Sequence, residues 1–217
     1  FIIGFPGITS YPGFVKRLGW KDVMQVNYYF VNKLLFKAKN VFKNHLELTA
    51  QAKNELDEKY DSYFDQKSPV AKRILKEIDR EFLNWRCFSE HTKQFKLLEF
   101  YKGDEFIGFT IYRNEGEGRC FIHYLDAVKD EYLSDILYAF NKFIFKQSGI
   151  KYIFTFEPTI DKWLNTIKSA GFTYNPLNKG PFSFKPAVIL YSNKDSIEKV
   201  PFFAFENFDL QGILRDY

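Results

Sequence analysis

The sequence predicts an α+β fold, and three observations predict it. Two aromatic-rich runs joined by Gly103-Asp104 read as a hairpin, and strand and helix patterns then alternate as far as Tyr191. A strand–helix–strand pattern over residues 1–30 returns over 150–191.

Phe1–Phe5 is an apolar run that closes at Pro6-Gly7 and reads as a buried strand. Ser10 is an expected N-cap with Pro12 in the first turn, Phe14, Val15 and Leu18 recur at helical spacing, and Gly19 stops the helix. Val23–Val31, rich in Val, Tyr and Phe, reads as one strand. Residues 32–69 are dominated by Lys, Asn, Glu and Gln. Ala52, Leu56, Tyr60, Tyr63 and Phe64 keep one apolar stripe there, which predicts a helical, polar connector ending near Ser68-Pro69.

A helix is expected over Val70–Phe88 with Ile74, Leu75, Ile78, Phe82 and Trp85 on one side. Strands follow at Phe95–Lys102, Glu105–Arg113 and Arg119–Val128. Asp130 or Ser134 caps the next helix, which carries Leu133, Ile136, Leu137, Phe140, Phe143 and Ile144 and stops at Gly149. Lys151–Phe156 is a short buried strand, Thr159–Ala170 a helix ending at Gly171, and Phe182–Tyr191 a strand. The tail to Tyr217 is irregular and aromatic.

Composition narrows the function classes. The 217 residues are 46% hydrophobic, enough for a packed core, and no run approaches the ~18 apolar residues of a membrane helix. The net charge of +4 is dispersed, which argues against a nucleic-acid partner. Cys87 and Cys120 are too few for a disulfide scaffold and fit a reducing cytoplasm. Aromatics reach 20% but are scattered along every segment, as an AT-rich genome produces, rather than gathered into a platform. The chain starts without Met on a buried strand, so it is expected to be the later part of a longer protein.

The element order from 70 to 191 resembles the GNAT superfamily of acyl-CoA N-acyltransferases. Two helix ends carry the likeness, Phe14-Val15-Lys16-Arg17-Leu18-Gly19-Trp20 and Lys168-Ser169-Ala170-Gly171-Phe172, supported by Gly4-Phe5-Pro6 and Phe82-Leu83-Asn84-Trp85-Arg86. The resemblance implies a mixed, mostly antiparallel central sheet flanked by helices. On that reading residues 1–31 close a first unit, 32–69 connect, and 70–217 form a second, degenerate unit.

The family holds the cofactor diphosphate on a turn of the form Gln/Arg-x-x-Gly-x-Gly/Ala at a helix N-terminus, where free N–H groups and the helix dipole favour anions. Here that stretch runs Asp126-Ala127-Val128-Lys129-Asp130-Glu131-Tyr132-Leu133-Ser134-Asp135, with no glycine and four carboxylates. Acetyl-CoA or another acyl-CoA is therefore expected for the full-length protein and not for residues 70–217 alone. The family's acid tyrosine falls at Val15 and Ile167, neither of which donates a proton, and Tyr11 lies one turn earlier as a substitute.

The candidate catalytic residues are His123 as a general base, and Asp126 and Glu157, which close two strands at one expected edge and pair to hold or deprotonate an amine. Trp85 and Arg86 are candidates for stacking on substrate and binding an anion, against a plain role as packed and dipole-matched helix end. His45 and His91 read as surface residues, and no group has metal-ligand spacing. The expected function is part of an N-acyltransferase acting on a small amine, with the second unit shaping the acceptor site. The alternatives are a non-catalytic binding module and a transferase that uses charged tRNA. The dispersed charge speaks against the last.

Overall fold

Among the described residues, ten strands form two sheets, accompanied by six α-helices, a π turn and a 3-10 turn. The computed structural model describes residues 2–41, 43–66, 78–90, 94–157, 161–174 and 185–191. In chain order the elements are β1 (Ile2–Gly4), α1 (Tyr11–Arg17), β2 (Lys21–Gln25), β3 (Tyr28–Asn32), α2 (Lys33–Asn40), β4 (Thr49–Lys53) and α3 (Lys59–Asp65). Next are α4 (Arg80–Leu83), which runs into a π turn at Asn84–Phe88, β5 (Phe95–Lys102), β6 (Glu105–Asn114) and β7 (Arg119–Ala127). A 3-10 turn (Asp130–Tyr132) leads into α5 (Leu133–Lys146), followed by β8 (Tyr152–Phe156), α6 (Asp161–Ser169), β9 (Thr173–Tyr174) and β10 (Ala187–Tyr191).

The large sheet has the order β4-β5-β6-β7-β8-β3-β9 and the small one β1-β10-β2. Every pairing is antiparallel except β7 with β8. The series β1-α1-β2-β3 and β8-α6-β9-β10 each give their last strand to the other's sheet. β3 sits between β8 and β9, and β10 sits between β1 and β2.

The single strand expected over Val23–Val31 is therefore two, broken where the chain crosses between sheets. Val26 N donates to Pro186 O at 2.9 Å, ahead of β10 in the small sheet. Glu157 N donates to Asn27 O at 2.9 Å, extending the β8–β3 ladder in the large one. Both helices of the repeated series end as the Gly-aromatic pattern requires. Gly19 and Gly171 take φ of 70° and 97°, so the next amide turns back: Trp20 N reaches Phe14 O at 3.2 Å and Phe172 N reaches Ile167 O at 3.0 Å.

Residues 32–69 contain the helices α2 and α3 and, beyond the expectation, a strand. This is β4, paired with β5 from Thr49↔Tyr101 to Lys53↔Leu97. An edge strand exposes most of its side chains, and the alternation in Thr-Ala-Gln-Ala-Lys rests on two small alanines, a weak signal beside the polar residues.

The helix expected over Val70–Phe88 is described only from Ile78. Leu83 of α4 and Cys87 of the π turn, four residues apart, are fully buried, while Trp85, expected on the core side, is 65% exposed. Helix α5 follows its pattern, burying Leu133, Ile136, Leu137, Phe140 and Ile144. Its cap is Tyr132, with no side-chain hydrogen bond, rather than Asp130 or Ser134. The tail beyond Tyr191 lies outside the described residues.

Three apolar clusters hold these layers. One joins α2, α5 and α6 to one face of the large sheet, through Phe36, Phe140, Ile167, Leu125 and Ile153 among others. On the opposite face, Tyr60, Tyr63, Leu83 and Cys87 pack on Leu97, Phe109, Ile111 and Tyr124. A third cluster joins the two sheets: Phe5, Val188 and Leu190 of the small sheet meet Tyr28, Phe121, Phe154 and Phe156 of the large. Among the described residues no helix is long and apolar enough to cross a membrane.

Candidate active site

The only parallel pairing among the described residues is short. Arg119, Cys120 and Phe121 pair with Tyr152, Ile153 and Phe154, and no later residues of β7 and β8 pair. The divergence has a local cause. Ile111 pairs with Tyr124 and Tyr112 with Ile122, so His123 is an extra residue that bends β7. Just before the bulge the Thr155 hydroxyl donates to Ile122 O at 3.3 Å. The C-terminal halves of the two central strands thus splay apart.

Asp126 and Glu157 stand at the two lips of this opening, yet on opposite faces of the sheet. Alternation puts Asp126 with Tyr124 and Phe109, over the α3–α4 cluster. Glu157 lies on the α5–α6 side, where Tyr29 also packs. The expected carboxylate pair is therefore not formed, because one-residue parity separates the two side chains by the thickness of the sheet.

Each carboxylate has its own setting. Glu157, half-buried, accepts from Asn27 Nδ2 at 2.6 Å and from the Tyr29 hydroxyl at 3.4 Å, so the strand received from the first series orients it. Burial and the neighbouring Glu157 charge push the Tyr29 hydroxyl up to about 12. Lys168 Nζ lies 6.0 Å from the Tyr29 ring centroid. Asp126 accepts from Ala127 N at 2.9 Å and from the Tyr124 hydroxyl at 3.4 Å. Burial, reinforced by Asp126, pushes the nearby Tyr63 hydroxyl far above the ordinary tyrosine range.

The other candidates are dispersed. The His123 side chain is fully buried, edge-on to Phe95 at 4.7 Å and Phe121 at 4.3 Å. Its Nε2 is 3.9 Å from Glu115 Oε1, which Arg113 holds at 2.6 Å. Trp85 rests on Phe82 at 6.0 Å, with Arg86 half-buried beside it in the π turn. Tyr11 lies in the small-sheet half, and its hydroxyl donates to Asp22.

The start of α5 does not fit a diphosphate. No glycine opens the turn, and Asp130, Glu131 and Asp135 stand in or beside the first helical turn. Asp135 Oδ1 is also engaged, accepting from Leu46 N at 3.2 Å and contacting His45 Nδ1 at 3.1 Å. His45, expected at the surface, instead stacks on Tyr138 at 3.9 Å and 7°, with Nε2 3.0 Å from Asn40 Oδ1. His45 and Leu46 are thereby tied to Asp135 in the first turn of α5. His91 lies outside the described residues, and no group of three or more His, Cys, Asp or Glu among the described residues is placed to hold a metal.

Sequence reasoning missed three polar residues. Asn27 and Tyr29 looked like parts of an unbroken strand. Glu99 is fully buried and meets Lys59, Tyr60 and Tyr101, and its one signal was a charge set between Leu98 and Phe100.

No family model matches the sequence, and no curated protein does. Solved structures do match, and they match this topology. One is a tandem GNAT protein from the clavulanic acid biosynthesis pathway, with TM-score 0.53 and 8% identity over 86% of this chain and 59% of its own. The chain has the GNAT fold. A GCN5-related N-acetyltransferase from Anabaena variabilis matches at TM-score 0.51 and 10% identity, over 86% of this chain and 44% of its own. A conserved protein of unknown function from Staphylococcus epidermidis matches at 0.51 and 8%, over 85% and 66%. The chain spans from under half to about two thirds of the length of these solved structures.

Proposed function

We propose that this chain is part of an acetyl-CoA-dependent N-acyltransferase for a small amine. In this reading the large sheet shapes the acceptor site, and the acyl donor is held by polypeptide other than the Lys129–Asp135 turn. The observation that carries the reading is the splay of β7 from β8, with Glu157 fixed at its lip by Asn27 and Tyr29. Transfer to an amine needs an acceptor for the ammonium proton. Glu157 is half-buried and oriented from two sides, so it can pair with the ammonium and take its proton, freeing the nitrogen lone pair to attack the thioester carbonyl and expel the thiolate. Asp126, more deeply buried and on the other face, maintains the Tyr124–Ala127 segment of β7.

The experiment is release of free thiol from acetyl-CoA across a panel of small amines. The reading predicts amine-dependent release by the full-length protein and a drop of about 100-fold or more in Glu157→Gln, the size of a lost general base. Absence of release with every acyl-CoA and every amine would contradict it.

A second reading, a binding module without catalysis, is favoured by one observation. Ile167, where the resemblance implies an acid tyrosine, is 2% exposed and packed in the core. It predicts amine binding that depends on Glu157 and no thiol release.

A further inference from the structure

Glu99 is a fully buried carboxylate on β5, and burying such a charge is costly unless it is well paired. Lys59 Nζ lies 2.8 Å from each of its oxygens. The Tyr60 hydroxyl donates to Oε1 at 2.9 Å and the Tyr101 hydroxyl to Oε2 at 2.6 Å. The ammonium is also boxed by aromatic rings: Phe106 at 5.1 Å, Tyr60 at 5.4 Å and Tyr101 at 5.6 Å from Nζ to centroid. A buried carboxylate floor within three aromatic walls is the arrangement that binds an alkylammonium group.

Three features distinguish this from a closed structural ion pair. Lys59 is 34% exposed while Glu99 is not exposed at all, so the lysine is the member of this ion pair that meets solvent. Lys59 lines a cleft of about 620 Å³, whose other lining residues are Glu55, Leu56, Asp57, Glu58, Arg80 and Asn84. Three of these are acidic, and the Arg80 guanidinium is held by Asp61 at 2.8 Å, so the cleft draws cations. Finally, Asp57 Oδ2 is 3.6 Å from Lys59 Nζ, a second carboxylate to which the lysine can turn without losing an ion pair.

We propose that the Glu99 box is a binding subsite for a primary alkylammonium ligand, filled by Lys59 until such a ligand enters from the cleft and displaces it toward Asp57. The subsite lies on the α3–α4 face, away from Glu157. It goes beyond the acyltransferase reading and is tested without any acyl donor, so either can fail alone.

The probe is n-propylammonium, with 1-propanol as its neutral counterpart, and binding is read by calorimetry on the full chain. Lys59→Ala is expected to bind n-propylammonium about tenfold or more tighter than the wild type, the scale of a desolvated cation–π and ion-pair set. The added substitution Glu99→Gln is expected to abolish this gain, and 1-propanol to show none. In the unaltered protein, the Lys59 Cε resonance, displaced by the three rings, is expected to move toward its solvent-exposed position as n-propylammonium is added. That measurement needs no variant and stands even if Lys59→Ala fails to fold. Equal binding of alcohol and amine, a gain that survives Glu99→Gln, or a Lys59 resonance unmoved at saturating amine would each overturn the proposal.

Discussion

Asn27 Nδ2 donates to Glu157 Oε2 at 2.6 Å, across 130 residues of sequence and at the point where the two strand series exchange partners. The contact lies beside the place where β3 enters the large sheet, so it orients the candidate base and secures the exchange together. A hydrogen bond to a charged group contributes about 1.5–3 kcal/mol. Asn27→Ala is therefore expected to lower unfolding stability by about that amount and to weaken amine binding with it. Urea denaturation and calorimetry on one sample set test both effects.

Tyr29 provides a pH signature. Its hydroxyl pKa is raised from 10.0 to about 12 by burial first and the Glu157 charge second. The raised value favours the protonated native state. Its contribution to stability is complete below pH 10 and is lost as pH climbs from 10 to 12, where the unfolded chain has released its proton and the native one has not. Tyr29→Phe is expected to make the fall in unfolding free energy over that interval shallower, while other buried tyrosines keep part of the slope. An identical slope in the variant would count against the assignment.

Phe121 lies fully buried where the sheets meet and stacks on Phe154 at 4.7 Å and 12°. Phe121→Ala is expected to destabilise by about 3–5 kcal/mol, as deep aromatic truncations do. Trp85→Ala, at a 65% exposed position, is expected to stay within about 0.5 kcal/mol. Denaturation midpoints of the two variants test the assignment: a large loss in Trp85→Ala would contradict its exposed position.

Gly108 has φ of 157°, and a Cβ there would lie 2.4 Å from Asp126 O and 2.5 Å from Ile136 Cδ1. The obstruction includes backbone, so Gly108→Ala must shift β7 against α5 and is expected to destabilise by more than about 2 kcal/mol. A variant as stable as the wild type would contradict the close β6–β7 approach.

The elements with strong periodicity were legible in the sequence: the apolar stripe of α5, the β5–β6 hairpin and both Gly-aromatic helix ends are where the residues put them. Strand β4 was not, because an edge strand needs few apolar residues. The partition of Val23–Val31 was not either, since Val26 and Asn27 continue the strand composition while the partners that separate them, Pro186 and Glu157, lie far along the chain. The same limit applies to the site. Asp126 and Glu157 could be seen as strand ends, but the facing of each depends on the His123 bulge and on Tyr29, and neither leaves a mark in local sequence.

Hydrogen–deuterium exchange of residues 128–135, with and without acetyl-CoA, tests the central claim most directly. The account predicts unchanged exchange there even where the full-length protein binds the donor, because Asp130, Glu131 and the His45-bound Asp135 leave no seat for phosphate. Strong protection of Lys129–Asp135 by acetyl-CoA would contradict it.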